Sequence, residues 1–408
     1  MGDLIYSLKL FINNKRFTFL WLCSFSSFLA LSTYIFAEQW YILKYLDANK
    51  YLGLIMMLTM LPRIILMFIG GVIADRFKKS TIMFISSAFR AIVLIIMVVF
   101  INIDALDVLL LSMFAIIYGC LDAFFSPANS SMIPNIVEYD DIRMANSIIQ
   151  TTNQISLFLG PMIGGVMFSL MNSFIILFVV PIVLLVLTAV FSFMITEEKC
   201  KGNSEENIKE ELINGLAYVW SQKDLKLIII LIIIVNFWFL GPLMLGIPLV
   251  LNNVIKGTAL QLSAYQGSYQ VGMLVGALSS IVLLKRISDY TAIPFLIFII
   301  GSTFLLFGNS RIFLIGIFTL LVMGICSAII NVLLISKIQE KTDNHMLGRV
   351  MSIVNASSNG LIPLSYALIS LLLGFNVGIS SIISVSAVIV ILVSIMFIIY
   401  IKKGVDSL

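Results

Sequence analysis

A short charged link, Gly70-Gly71-Val72-Ile73-Ala74-Asp75-Arg76-Phe77-Lys78-Lys79-Ser80, joins two apolar runs, Tyr51–Ala74 and Thr81–Ile101. Each run is long enough to cross a bilayer, for which about 20 apolar residues suffice. The link is far too short to be a domain, so it reads as a tight hairpin at a membrane surface. Its two Lys and one Arg, against one Asp, place that hairpin on the cytoplasmic side. The rest of the chain repeats the pattern. Apolar residues make up 60% of it and charged ones only 11%, more apolar surface than a water-soluble domain of this size could hide. The runs are continuous rather than alternating, which predicts helices and excludes a barrel.

In chain order the expected spans are 17–41, 51–74, 81–101, 108–131, 146–170 and a sixth ending near Ile195. After the hydrophilic stretch Thr196–Lys226 come 225–252, 263–284, 292–308, 312–335, 350–374 and 379–401. That predicts an all-α integral membrane protein of twelve transmembrane helices, with two six-helix bundles, 1–195 and 225–408, and a cytoplasmic linker, 196–224. Charge tests the count. Only Lys44, Lys50, Lys256 and Arg311 fall outside and Arg63 and Arg90 lie within spans; the remainder of the 25 Lys and Arg fall inside. Both termini are then cytoplasmic. The first span is too long for a signal peptide and lacks a small-residue cleavage site. One constant offset superposes Asn129 on Asn331, Glu138 on Glu340, Asp141 on Asp343, Asn153 on Asn355, Ser156 on Ser358 and Pro161 on Pro363. The halves are therefore a repeat that keeps its orientation, with pseudo-twofold symmetry and a substrate path expected between them.

Several motifs resemble one family. Gly71-x-x-x-Asp75-Arg76 with the following lysines resembles the loop between helices 2 and 3 of the major facilitator superfamily. Gly160-Pro161-Met162-Ile163-Gly164-Gly165 in the fifth span resembles the antiporter motif of its proton-coupled drug exporters. The segments Phe124–Ala128, Ile133-Pro134, Ala145–Ser147 and Gly348–Ser352 are similar to the branch that includes macrolide-efflux proteins and the enterobactin exporter. That branch implies Gly71, Asp75, Arg76, Gly160, Pro161, Gly164 and Gly165 as gating residues, with Asp75 near the start of helix 11. Many antiporters carry an Arg in helix 4; this chain has Asp122 there and no Arg.

Charges inside spans are costly unless paired or wet. Counting along the helices puts Arg63, Arg90 and Asp122 at a common depth, roughly 16–18 Å from the inner face. They read either as a structural ion pair pinning helices 2, 3 and 4 or as the proton-coupling site. Glu38 falls near the outer end of helix 1 and is expected at an outer gate or in water; it is the next proton-coupling candidate after those three. Trp40 is expected in an interfacial aromatic belt. Candidates for the substrate cavity are Tyr34, Asn236, Trp238, Tyr269, Gln270 and Asn331. Asn236 and Trp238 precede Gly241-Pro242, where a helix should break. The stretch Glu205–Glu211 reads as a solvated linker helix.

Other chemistry finds little support. The cysteines (23, 120, 200, 326) are scattered, His345 is the only histidine, and no phosphate loop occurs, so neither a metal site, a cofactor nor ATP use is expected. The reading is a monomeric secondary exporter in a bacterial plasma membrane. It moves amphipathic, drug-like or macrolide-like molecules against protons and binds no nucleic acid. The alternatives are a siderophore or other metabolite exporter, or a lysophospholipid flippase.

Overall fold

The computed structural model describes residues 14–196, 208–283, 289–343 and 346–405. Lys9, Cys200, Glu205, Lys285, Arg286 and His345 lie outside them. The chain divides into two compact units, Met1–Asn203 and Ser204–Leu408. The first unit holds α1 (Lys15–Lys44), α2 (Leu52–Arg76), α3 (Lys79–Asn102), α4 (Val108–Ile136), α5 (Ile142–Met171) and α6 (Phe174–Met194). The second opens with a short helix, α7 (Ile208–Ser221). There follow α8 (Lys223–Ile255), α9 (Ala259–Leu283), α10 (Asp289–Asn309), α11 (Phe313–Lys341), α12 (Leu347–Gly374) and α13 (Ile379–Val405). No strand occurs among the described residues.

Eleven of these helices are long and apolar enough to cross a membrane. The remaining expected span is α9, whose 25 residues would rise about 37 Å. It carries three glutamines, Gln261, Gln266 and Gln270, and no acidic or basic side chain. The helix ends are set locally. Asn14 caps α1 by accepting from Phe17 N at 3.1 Å, and its Nδ2 donates to Ile136 O at 2.6 Å, tying the start of α1 to the end of α4. Asp107 caps α4 through Leu110 N at 2.8 Å. Asp47, Asp104, Asn172, Lys256 and Asn376 turn the chain with positive φ after α1, α3, α5, α8 and α12, a conformation Asn and Asp tolerate best.

Several helix boundaries differ from expectation: α5 starts at Ile142 rather than near Asn146, α11 runs to Lys341 rather than Ile335, and two further differences bear on the packing. α4 does not stop near Ser131 but carries Pro127 and Pro134 inside it to Ile136, followed by a single 3-10 turn, Tyr139–Asp141. A proline removes one donor and bends a helix without ending it when packing holds the next turn. Here Met132, Ile133 and Ile136 are buried and belong to one core cluster with Phe17 and Ala145. α12, expected unbroken, is interrupted at Leu361, just before Pro363.

The repeat read from sequence reappears as packing. In the first unit α2 lies on α4, α3 on α4 and α6, and α1 on α5 and α6. In the second, α9 lies on α11, α10 on α11 and α13, and α8 on α12 and α13. Small residues allow the closest approaches. A Cβ on Gly119 would strike Thr59 O across α2 and α4, and one on Gly324 would strike Tyr269 O across α9 and α11. In α5, a Cβ on Gly160 would run into Ser32 and one on Gly164 into the Phe36 ring, both on α1. Gly71, by contrast, would meet nothing within 4 Å. Gly164→Leu should therefore overpack the α1/α5 contact at a cost of about 1–3 kcal/mol, while Gly71→Leu leaves stability nearly unchanged. Thermal unfolding of the two purified variants in detergent distinguishes them, and equal melting temperatures would contradict this packing.

Candidate functional site

Asp122 is the centre of the first unit's polar interior. It sits on α4 and is 4% exposed, while Arg90 on α3 is fully buried. Arg90 Nη1 meets Asp122 Oδ1 at 2.5 Å, and Arg63 Nε on α2 stands 2.9 Å from Oδ2. The three charges that helix counting put at one depth are thus brought together. Arg90 Nη2 donates to Ser27 Oγ on α1 at 3.2 Å and to Ser87 Oγ at 3.4 Å. The guanidinium also lies over the rings of Phe125, at 5.0 Å, and Tyr118, at 5.8 Å. Counting Arg63, four helices therefore contribute to the cluster around Asp122.

Glu38 corrects the sequence reading. It is not at a solvated outer gate but fully buried. Tyr34 Oη donates to Glu38 Oε1 at 2.7 Å, and Thr59 Oγ1 on α2 lies 3.4 Å from each carboxyl oxygen. No basic side chain pairs with it among the described residues. The Tyr34 ring stacks on Tyr118 with centroids 4.2 Å apart. Glu38, Tyr34 and Tyr118 thus lead directly to Arg90 and Asp122. Depth along a helix gave no information on azimuth, and Glu38 shares its face with Tyr34 one turn earlier. Trp40 is likewise not in an interfacial belt: it is 2% exposed, edge-on to Phe168, with Lys44 over its ring at 5.3 Å.

The gating candidates divide. Gly160, Pro161, Gly164 and Gly165 are all buried in α5, where Gly160 and Gly164 form the α1 contact described above. Asp75 and Arg76 end α2 exposed, with no hydrogen bond or ion pair among the described residues.

In the second unit, Asn236 begins a π-helical turn, Asn236–Leu240, immediately before Gly241-Pro242, so the expected irregularity of α8 is present as a widened turn rather than a break. Asn236 Nδ2 donates to Ser358 O at 3.0 Å, and Ser365 Oγ donates to Phe237 O at 2.8 Å. The π turn of α8 and the interruption of α12 satisfy one another's freed carbonyls. Trp238 lines an apolar cavity of about 180 Å³. Tyr269 is buried on α9, Gln270 half-buried and Asn331 exposed on α11. Asn331's counterpart by the repeat, Asn129, is instead buried and accepts from Ser24 Oγ at 2.8 Å.

Sequence reasoning missed Ser27, Ser87, Tyr118 and Thr59. For two of them the spacing was a usable signal: Tyr118 precedes Asp122 by four residues and Ser87 precedes Arg90 by three, so each shares its partner's helix face. No group of three His, Cys, Asp or Glu able to hold a metal occurs among the described residues.

A family model described as "Major Facilitator Superfamily" matches residues 20–366. The uncharacterized MFS-type transporter YfiS of Bacillus subtilis (strain 168) is 32% identical over 114 residues, a match spanning 28% of this chain and only 26% of that relative. Among solved structures, the nucleoside transporter NupG superposes with a TM-score of 0.75 at 12% identity, covering 95% of this chain and 99% of its own. An auto-inhibited POT family peptide transporter gives 0.71 at 11% identity, covering 95% and 97%. At such identities the likeness concerns the fold.

The site geometry makes its own stability prediction. Asp122→Ala strands the fully buried Arg90, so it should cost about 3–5 kcal/mol. Arg63→Gln removes the more exposed partner, 29% against 0% for Arg90, and leaves Asp122 paired with Arg90, so it should cost less than Asp122→Ala. Melting of the purified variants checks this ordering, and a reversed order would refute the pairing.

Proposed function

The chain belongs to the major facilitator superfamily, a family of multi-pass membrane transporters rather than enzymes, and on that premise we propose that it is a proton-driven exporter of amphipathic, drug-like or macrolide-like molecules. The observation that carries the reading is Glu38, a fully buried carboxyl held by two hydroxyls and, among the described residues, no cation. Protonating Asp122 would break two ion pairs; protonating Glu38 breaks none. Glu38 is therefore assigned the exchangeable proton. The Arg63–Asp122–Arg90 cluster is assigned the role of sensing it through Tyr34 and Tyr118. Substrate and proton are then linked because each biases the same pair of conformations.

The antiporter-like Gly160–Gly165 segment supports export over import. Both arginines in the core of the first unit are engaged by Asp122. Neither is left for a polyanion, which favours an amphiphile over a siderophore. Tyr269, Gln270 and Asn331 remain the candidates for contacting the cargo. The distribution of basic residues supports both termini on the cytoplasmic side, and the membrane assigned here is the plasma membrane.

The test uses purified protein in liposomes, an imposed pH difference, and erythromycin and ethidium as cargo. Glu38→Gln should lose uphill accumulation at least tenfold while downhill equilibration persists. Full uphill transport by this variant would remove Glu38 from the mechanism. Loss of both modes in a well-folded protein would make its role structural.

A further inference from the structure

The cavity beside Trp238 has features of a site for a particular ligand. It lies among α8, α12 and α13, wholly within the second unit. Its floor is buried, with Ile369 at 2%, Ser365 at 1% and Ser386 at 1% exposure. Ser365 Oγ is already turned to Phe237 O, so that hydroxyl asks nothing of an occupant. The rim is open: Ser381 is exposed and Val385 is 57% exposed. No charged residue lines it.

Shape and setting narrow the occupant. From Val377 in the α12–α13 turn the lining passes to Ser381, Ile382, Val385 and Ser386, so the groove runs inward along the first turns of α13 for roughly 8 Å. At about 180 Å³ it is smaller than the roughly 300–1,000 Å³ of pockets that enclose drug-sized ligands. It suits a chain rather than a ring system. The rim continues into the exposed apolar residues Leu364, Leu371 and Val388 of two membrane-spanning helices. Such a surface meets hydrocarbon, and the groove starts at a turn, the level at which lipid headgroups give way to acyl chains.

We propose that this groove holds one acyl chain of a bilayer lipid, lying along α13 with its inner part against Trp238. The chain would then rest on the two helix interruptions, the π turn of α8 and the break in α12, that bond to one another behind it. This site is independent of the proton-exchange reading.

Tryptophan fluorescence tests it in the full chain, reconstituted in phosphatidylcholine vesicles in which most of the lipid carries bromine on its acyl chains and compared with the same vesicles without bromine. Subtracting the emission of Trp238→Phe from that of the unaltered protein isolates the Trp238 signal. That signal should fall at least twofold. Ser386→Phe, which fills the floor without touching the rim, should restore it, and Ile382→Phe serves the same purpose if the first variant folds poorly. Quenching that both filling variants leave unchanged would mean the bromine reaches Trp238 only from the surrounding lipid, and would overturn the proposal. So would an absence of quenching. Relief of quenching by erythromycin at a concentration that leaves the vesicles intact would assign the groove to cargo instead.

Discussion

A bilayer offers no water to a stranded charge, and the first unit is arranged around that constraint. Asp122 is charge-paired from two sides: Arg90 hydrogen-bonds one carboxyl oxygen, and Arg63 Nε stands 2.9 Å from the other without a hydrogen bond to it. Because the three residues come from three helices, the pairing fixes how α2, α3 and α4 can sit. Ser27 adds α1 through Arg90. A buried ion pair adds little net stability over a well-packed apolar core. Its retention at this cost is better explained by an arrangement that must be specific, or must be able to change.

The second unit shows what the same architecture does without those charges. The offset that relates the halves carries Glu38 to Leu240, Arg63 to Tyr265, Arg90 to Ala292 and Asp122 to Gly324. Corresponding helices still pack on one another. The close approach of α9 and α11 rests instead on Gly272, Gly276 and Gly324, where an added Cβ would meet facing backbone. The polar groups of α8 and α12 are spent on each other's irregular turns. On the side of the linker, Tyr218 of α7 donates to Asp343 at 3.0 Å and Lys341 pairs with Asp224 at 2.9 Å. The repeat therefore preserves helix neighbours while the chemistry inside each half has diverged.

Much of this was legible in the residues. Apolar run lengths located the spans, and counting from Asp75, Lys79 and Pro134 put Arg63, Arg90 and Asp122 at one level. What counting along an axis cannot supply is direction around it. Glu38 and Trp40 were misplaced for that reason: their height on α1 was readable but the face they present was not. Local rules also misjudged prolines. Pro134 does not end α4, because the residues around it are buried in a shared core, whereas Leu361 before Pro363 does interrupt α12. In α8 the irregularity expected near Gly241-Pro242 was located correctly, but its form, a π-helical turn, depends on Ser358 and Ser365 from a distant segment.

The formal charges of the cluster have one more consequence. With Glu38 ionised, Glu38, Arg63, Arg90 and Asp122 sum to zero; with Glu38 protonated they hold one positive charge. A unit charge moved through a membrane potential is worth about 2.3 kcal/mol per 100 mV. A cycle that carries its proton on Glu38 would thus answer to voltage as well as to acidity. If Glu38 carries the exchanged proton, a neutral cargo would be driven by an imposed potential even at equal pH on both sides, whereas a monovalent cation exchanged for one proton would not.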